Sequence, residues 1–262
     1  MSKRIKEITK ERYAAVARAI RSNRAGSCCA TGGCCGPRSY TPEETAGLPQ
    51  DLALASLGCG NPTTPADLKE GEVVLDLGCG AGLDVLLSAK RVGPKGKVYG
   101  LDMTDEMLTL AKEYQQRTGL SNVEFLRGEM EDIPLPDNYV DVIISNCVIN
   151  LVPDKMRVFR EAFRILKPGG RLAVSDMILL RPVPEHLRHD VELWTSCIAG
   201  ALIEEEYRSM LEAAGFVDVE VRTAQTLGSE NLLDGLSSVE LVERVMPYVD
   251  NLARGFVRAR KP

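Results

Sequence analysis

The sequence predicts an α/β fold, a doubly wound and mostly parallel seven-stranded sheet, and three observations carry that expectation. From residue 72 onward, short apolar strands alternate with helical segments, which requires crossover connections and a sheet covered on both faces. The first of these strands runs straight into a glycine loop, Gly78-Cys79-Gly80-Ala81-Gly82, that opens a helix. The composition suits a globular chain with a substantial core, since 44% of its 262 residues are hydrophobic and 26% are charged.

Taken in order, Ile5, Ile8, Tyr13, Val16, Ala17 and Ile20 recur at near-helical spacing and predict an amphipathic helix over residues 3–22. Residues 25–37 hold too much glycine for helix or strand and read as a flexible arm carrying the doublets Cys28-Cys29 and Cys34-Cys35. Thr41-Pro42-Glu43-Glu44 is a helix start with proline at the first helical position. A loop follows at Gly58-Cys59-Gly60-Asn61-Pro62. Strands are expected at 72–77, 97–102, 123–127, 140–146 and 171–177, with helices through about Arg91, over 105–118 and over 155–166. Lys167-Pro168-Gly169-Gly170 should stop the last of these helices. Helices at about 185–197, 204–214 and 237–246 and strands at 217–226 and 252–260 complete the chain. The organisation that follows is an N-terminal helix and Cys-rich arm (1–40), a nucleotide-type α/β domain (41–180) and a C-terminal segment completing the sheet (181–262).

Charge and hydropathy exclude several classes. Net charge is −5, from 32 basic and 37 acidic residues, which gives no electrostatic footprint for nucleic acid. The N-terminus lacks an apolar signal core, and the longest apolar stretch, 140–152, is interrupted by Asp141, Asn146 and Asn150 and is too short to span a bilayer. A cytoplasmic protein without membrane partners is the expectation. Eight cysteines are the oddity. In a reducing compartment they read as ligands or redox groups rather than staples.

The glycine loop does not fit the dinucleotide fingerprint, because counting Gly-x-Gly-x-x-Gly from Gly78 lands on Leu83. Asp76-Leu77-Gly78-Cys79-Gly80-Ala81-Gly82 instead resembles the Asp-x-Gly-x-Gly-x-Gly loop of class I S-adenosylmethionine-dependent methyltransferases. Asp102 ends the second strand, where a carboxylate can accept hydrogen bonds from ribose hydroxyls. Residues 128–132 follow the third strand, where such folds bracket adenine. The resemblance implies S-adenosylmethionine as cofactor, held by Asp76, Gly78, Cys79 (through its backbone), Gly80, Asp102, Met103, Glu129, Met130 and Asn146. A nicotinamide dehydrogenase is the rival reading of the loop taken alone.

Substrate must be read elsewhere, and three single cysteines stand out. Cys59 precedes the first strand, Cys147 follows the fourth, and Cys197 lies after the fifth. Thiolates select soft centres. The segments Ser56-Leu57-Gly58-Cys59-Gly60-Asn61-Pro62, Ile144-Ser145-Asn146-Cys147-Val148-Ile149-Asn150-Leu151 and Cys197-Ile198-Ala199-Gly200-Ala201-Leu202 are similar to those of arsenite S-adenosylmethionine methyltransferases. The likeness covers about residues 40–226 and the closing Val257–Pro262. It implies that Cys59, Cys147 and Cys197 are the arsenic(III) ligands and the catalytic thiols, acting on arsenite and methylarsenite. It also implies an N-terminal cysteine that pairs with Cys59 in a redox cycle, with Cys28, Cys29, Cys34 and Cys35 as candidates. A thiol reductant of thioredoxin or glutathione type would then be a partner. The doublets could otherwise form a four-cysteine zinc or iron–sulfur site, although their spacing suits a tetrahedral cage poorly. Two other functions compete: methylation of a quinone precursor or other small carbon acceptor, and non-catalytic arsenic binding or redox sensing.

Overall fold

The structure, a computed structural model, describes residues 2–22, 39–226 and 239–262; the four cysteines of the doublets lie outside them. Eight strands form one sheet: β1 (Val73–Leu77), β2 (Lys97–Asp102), β3 (Val123–Arg127), β4 (Val140–Asn146), β5 (Leu166–Leu179), β6 (Leu202–Ile203), β7 (Val217–Thr226) and β8 (Leu252–Arg260). Their order is β3-β2-β1-β4-β5-β8-β7, the expected seven, with the two-residue β6 paired to the far end of β5. Pairs among β1 to β5 are parallel, whereas β8 runs antiparallel to both β5 and β7. Strand order reverses at β1 and β4, which is where ligands bind in open α/β sheets.

The central strands are near-continuous hydrophobic runs because both faces are covered. On one face, helices α4 (Leu83–Val92) and α5 (Asp105–Thr118) pack Leu86, Leu110 and Ala111 against Val74, Val98 and Ile144. On the other, α6 (Lys155–Ile165) and α9 (Glu204–Ala213) pack Phe159, Tyr207 and Leu211 against Leu75, Ile143 and Val174. Phe159 and Tyr207 are fully buried with ring centroids 5.6 Å apart. Truncating such a core aromatic costs about 3–5 kcal/mol.

The remaining helices are shorter or peripheral. The long N-terminal helix α1 (Ser2–Arg21) packs on α5. Helices α2 (Pro42–Thr45) and α3 (Gln50–Leu54) lead into the Cys59 loop. At the start of α2 the Thr41 hydroxyl accepts from the Glu44 N–H while the Glu44 carboxylate accepts from the Thr41 N–H, so two orphan donors are satisfied at once.

Three boundaries differ from expectation. Strand β5 begins at Leu166 rather than Arg171, because the Lys167–Gly170 backbone is bound by its neighbours. Leu166 pairs with Val140, Gly169 donates to the Lys261 carbonyl, and Lys261 donates to that of Gly170. The helix expected over 185–197 is two, α7 (Glu185–Arg188) and α8 (Val191–Thr195). Asp190 splits it, its carboxylate capping the N–H groups of Glu192 and Leu193. The last helix, α10 (Val239–Val245), gives way at Met246 to a 3-10 turn that holds Pro247 in its first turn. Among the described residues no helix is long and apolar enough to cross a membrane.

Candidate functional site

Sheet register builds the site. Leu77 is level with Leu101 on one side and Ser145 on the other, so the next residues, Gly78, Asp102 and Asn146, reach the carboxyl edge together. Around them opens a cleft at the carboxyl edge of the sheet. All nine residues expected at the cofactor lie on its wall: Asp76, Gly78, Cys79, Gly80, Asp102, Met103, Glu129, Met130 and Asn146.

Gly78 has φ +69°, and a Cβ there would come within 2.3 Å of Val148 Cγ1. Only glycine allows the loop to turn in the left-handed region while pressed against the segment after β4. At Gly80 an added Cβ would meet open space, so its backbone faces the cleft bare. Asp102 accepts from the N–H groups of Gly80 (3.0 Å) and Thr104 (2.8 Å), which fixes its carboxylate at the strand end. The Cys79 N–H is spent on the Leu101 carbonyl at 2.9 Å. Its thiol sits in the apolar layer with Phe125, so Cys79 contributes shape to the wall rather than a free donor.

The wall is acidic. Burial, then the charges of Asp84 and Asp102, holds the Asp76 carboxyl well above its ordinary value. Burial raises Asp84 to about 6 against the hydrogen bonds that it accepts from Asn146 and Tyr40. Asp102 is raised by burial too, with the Thr104 and Gly80 N–H groups opposing. Three desolvated carboxyl groups around one cleft favour a cationic occupant.

Helix α1, whose amphipathic pattern gives no hint of where it docks, roofs this cleft. Lys6 bridges Glu129 (2.5 Å) and Glu131 (3.1 Å), Arg18 pairs with Glu106 on α5, and Arg12 donates to the Thr195 hydroxyl of α8 at 2.6 Å. Lys6, Thr9 and Tyr13 line the interior. Thr9 is buried, and among the described residues its hydroxyl has no hydrogen-bond partner.

Cys59, Cys147 and Cys197 come together although 88 and 50 residues separate them along the chain. All three are buried and part of one apolar cluster with Leu151, Met177, Leu179, Leu193 and Ile198. Cys147 is the link: its carbonyl accepts from the Cys197 thiol at 3.1 Å, and its own thiol feels those of both Cys59 and Cys197. Cys147 also borders the cleft, and Cys59 and Cys197 stand behind it. Two of the three occupy the left-handed region, Cys147 at φ +60° and Cys197 at φ +61°, which costs a non-glycine residue on the order of 1 kcal/mol. Among the described residues no group of three or more His, Cys, Asp or Glu forms a ready-made metal cage.

Cys147 and Cys197 are held protonated. For Cys147, the hydrogen bond from Cys197 lowers its pKa, but the bond with Cys59, burial and the charges of Cys59 and Asp176 together carry it well above the ordinary value. For Cys197, the bond with Cys147 and burial raise it, and the Arg12 guanidinium opposes them.

Behind the thiols lies a polar cluster that sequence reading missed. Asp176, fully buried in β5, accepts from the Asn150 amide (2.8 Å), the Met177 N–H (3.0 Å) and the Tyr207 hydroxyl (3.2 Å). Lys155 donates to the carbonyls of Val152 (2.9 Å) and Asn150 (3.4 Å), and its ammonium lies 5.0 Å from the centroid of the Trp194 ring. Burial pushes Asp176 up to about 7 and Lys155 down to about 8. The available signal was a lone carboxylate in the apolar run Leu172–Leu180. His186 and His189 are exposed on and after α7, away from this chemistry.

Comparison with known proteins agrees with this geometry. A family model described as a methyltransferase domain matches residues 68–215. An arsenite methyltransferase of Halobacterium salinarum is 41% identical over 82% of this chain and 58% of its own length. That of Homo sapiens is 37% identical over 70% of this chain and 50% of its own. The crystal structure of an arsenic(III) S-adenosylmethionine methyltransferase from Chlamydomonas reinhardtii superposes with a TM-score of 0.67 at 35% identity, covering 84% of this chain and 73% of that one. The chain spans between half and three-fifths of the length of these curated relatives.

Proposed function

This chain belongs to the S-adenosylmethionine-dependent arsenite methyltransferase family, and on that premise we propose that it transfers a methyl group to trivalent arsenic held by Cys59, Cys147 and Cys197. The observation that carries the reading is the place of Cys147. It shares one buried cluster with the two other cysteines, accepts from the Cys197 thiol at its carbonyl, and also forms part of the wall of a cleft whose carboxyl-edge residues suit this cofactor.

The residues present fit S-adenosylmethionine. The bare backbone at Gly80 leaves room for its amino-acid part, Asp102 stands at the strand end for a ribose diol, and the orphaned Thr9 hydroxyl offers a further donor. Its two cationic centres answer the acidic wall of Asp76, Asp84 and Asp102. When bound, the cofactor supplies an electrophilic methyl group on a sulfonium.

Arsenite enters as neutral As(OH)₃, and each thiol replaces one hydroxyl. An As–S bond forms, an As–O bond breaks, and the thiol proton leaves with the hydroxyl as water. Raised thiol pKa values suit this exchange, since protonated Cys147 and Cys197 bring the protons that the leaving hydroxyls need. The product is uncharged, which the apolar surroundings of the thiols favour. Cys147 then presents the arsenic lone pair to the cleft, so no base is needed to generate the nucleophile. Alignment by the fixed strand ends is the source of rate, an effect worth several kcal/mol. Methylation raises arsenic from the trivalent to the pentavalent state, so return to As(III) requires two electrons. A thioredoxin- or glutathione-type thiol reductant supplies them, with Cys28, Cys29, Cys34 or Cys35 exchanging disulfides with Cys59.

The test is anaerobic incubation of the protein with arsenite, S-adenosylmethionine and a thiol reductant, with products counted by arsenic-specific mass spectrometry. Cys147→Ser should abolish methylated arsenic while cofactor affinity, measured by calorimetry, is kept. Cofactor binding without any methylated arsenic in the wild-type protein would instead point to a carbon acceptor.

A further inference from the structure

The geometry points to Asn146 as a positioning residue for the arsenic thiols, one that pins the Cys59 loop to the end of β4 so that the Cys59 and Cys147 thiols meet. This rests on the arsenic reading above, and it differs from the cofactor-binding role that the sequence suggested for Asn146.

The amide of Asn146 has no capacity left for a cofactor. Its carbonyl oxygen accepts from the N–H groups of Cys59 (3.1 Å) and Gly60 (3.2 Å), which uses both lone pairs. Its amino group has two hydrogens and three acceptors around it: the Gly60 carbonyl (2.8 Å), the Asp84 carboxylate (2.9 Å) and the Tyr40 hydroxyl oxygen (3.0 Å). The orientation is forced. A flipped amide would point its NH₂ at two backbone N–H donors and its oxygen at a carboxylate.

The loop is shaped to receive this side chain. A Cβ on Gly58 would lie 2.2 Å from Asn146 Nδ2, and one on Gly60 would lie 1.8 Å from Ser175 Oγ. Glycines on both sides of Cys59 therefore let the backbone close onto the ends of β4 and β5, and Asn146 grips it at three successive peptide groups, from Gly58–Cys59 to Gly60–Asn61. The next residue after Asn146 is Cys147, whose N–H donates to the Ser175 carbonyl at 2.7 Å. The Cys59 thiol faces that same carbonyl at 4.0 Å. A single side chain thus sets the distance between two thiols that lie 88 residues apart in sequence.

The experiment combines three readouts on Asn146→Ala, Gly58→Ala and the double variant. Hydrogen–deuterium exchange of the peptide containing residues 57–62 reports the pin itself, calorimetry reports cofactor affinity, and arsenic methylation reports function. Asn146→Ala should speed exchange at Cys59 and Gly60, keep cofactor affinity within about threefold, and lower kcat/KM for arsenite by roughly a hundredfold, the cost of misplacing a reacting group by about 1 Å. Gly58→Ala should do the same without touching Asn146, by wedging the loop off it. In the Asn146→Ala background, where that space is free, the added methyl group should cost nothing more. Cofactor affinity lost about tenfold or more in Asn146→Ala, with exchange at 57–62 unchanged, would overturn the inference, as would multiplicative effects of the two substitutions. Should the wild-type protein methylate no arsenic, the arsenic reading fails by itself. Exchange and cofactor affinity then still decide whether Asn146 holds the loop.

Discussion

Asp176→Asn offers a quantitative probe of the polar cluster behind the thiols. Burial raises the Asp176 carboxyl from its ordinary 3.8 to about 7, so the folded protein holds a proton there that the unfolded chain releases. A raised acid contributes stability that is fully present below pH 4 and is lost as pH rises toward 7. Each tenfold gain in proton affinity on folding corresponds to about 1.4 kcal/mol, so the whole window is worth about 4 kcal/mol, and the part between pH 5 and pH 7 about 2–3 kcal/mol. Asparagine keeps the shape and the acceptor for Asn150 and Met177 but carries no proton linkage. It turns an amino group toward Tyr207, whose hydroxyl proton loses its acceptor, at a cost of about 1 kcal/mol. The variant should therefore be slightly less stable than wild type at acid pH and overtake it as pH approaches 7. Urea unfolding midpoints at pH 5, 6 and 7, compared at equal slopes, measure this. A wild-type-minus-variant difference that stays constant across the window would refute the claim that Asp176 is held protonated, and with it the uncharged setting proposed for the arsenic thiolates.

Other outcomes follow from the cleft. Thr9→Val removes an orphaned hydroxyl, so it should weaken cofactor binding about fivefold, the worth of one hydrogen bond, without lowering the melting temperature; unchanged affinity in calorimetry would remove α1 from the cofactor site. Gly78→Ala forces a side chain into the left-handed region and against Val148, at a cost of about 2–4 kcal/mol in denaturant unfolding. Val148→Ala should recover part of that loss. A cationic occupant favours the ionised form of Asp84, raised to about 6, so cofactor affinity should fall as pH drops below 6 and level off above 7. A flat calorimetric profile from pH 5 to 8 would show that Asp84 does not feel the occupant.

Much of the site was legible because it follows from strand periodicity. Once 72–77, 97–102 and 140–146 are read as parallel neighbours, their ends must share an edge, and Gly78, Asp102 and Asn146 are brought together. The thiols were legible for a different reason, since the segments around Cys59, Cys147 and Cys197 resemble those of arsenite methyltransferases. Spatial pairing was not. Nothing local tells that Tyr40 donates to Asp84, that Arg12 reaches Thr195, or that Lys155 and Asp176 share one interior. These contacts join elements that are distant along the chain, and they depend on how helices dock rather than on which residues are helical. The helix stop at Lys167–Gly170 held, but the start of β5 was misplaced because Lys261, just past β8, binds the Gly169-Gly170 backbone that the sequence leaves as a turn.

The left-handed backbone at Cys147 and Cys197 has a consequence for anyone who would engineer this scaffold. Both are positions where glycine, or to a lesser degree asparagine, relaxes the chain. A library sorted only for heat tolerance or expression would be drawn to replace these two cysteines, and on the function proposed above its winners would fold well and process no arsenic. Sorting such a library needs arsenic in the growth medium from the first round, so that the thermally attractive replacements are also the lethal ones.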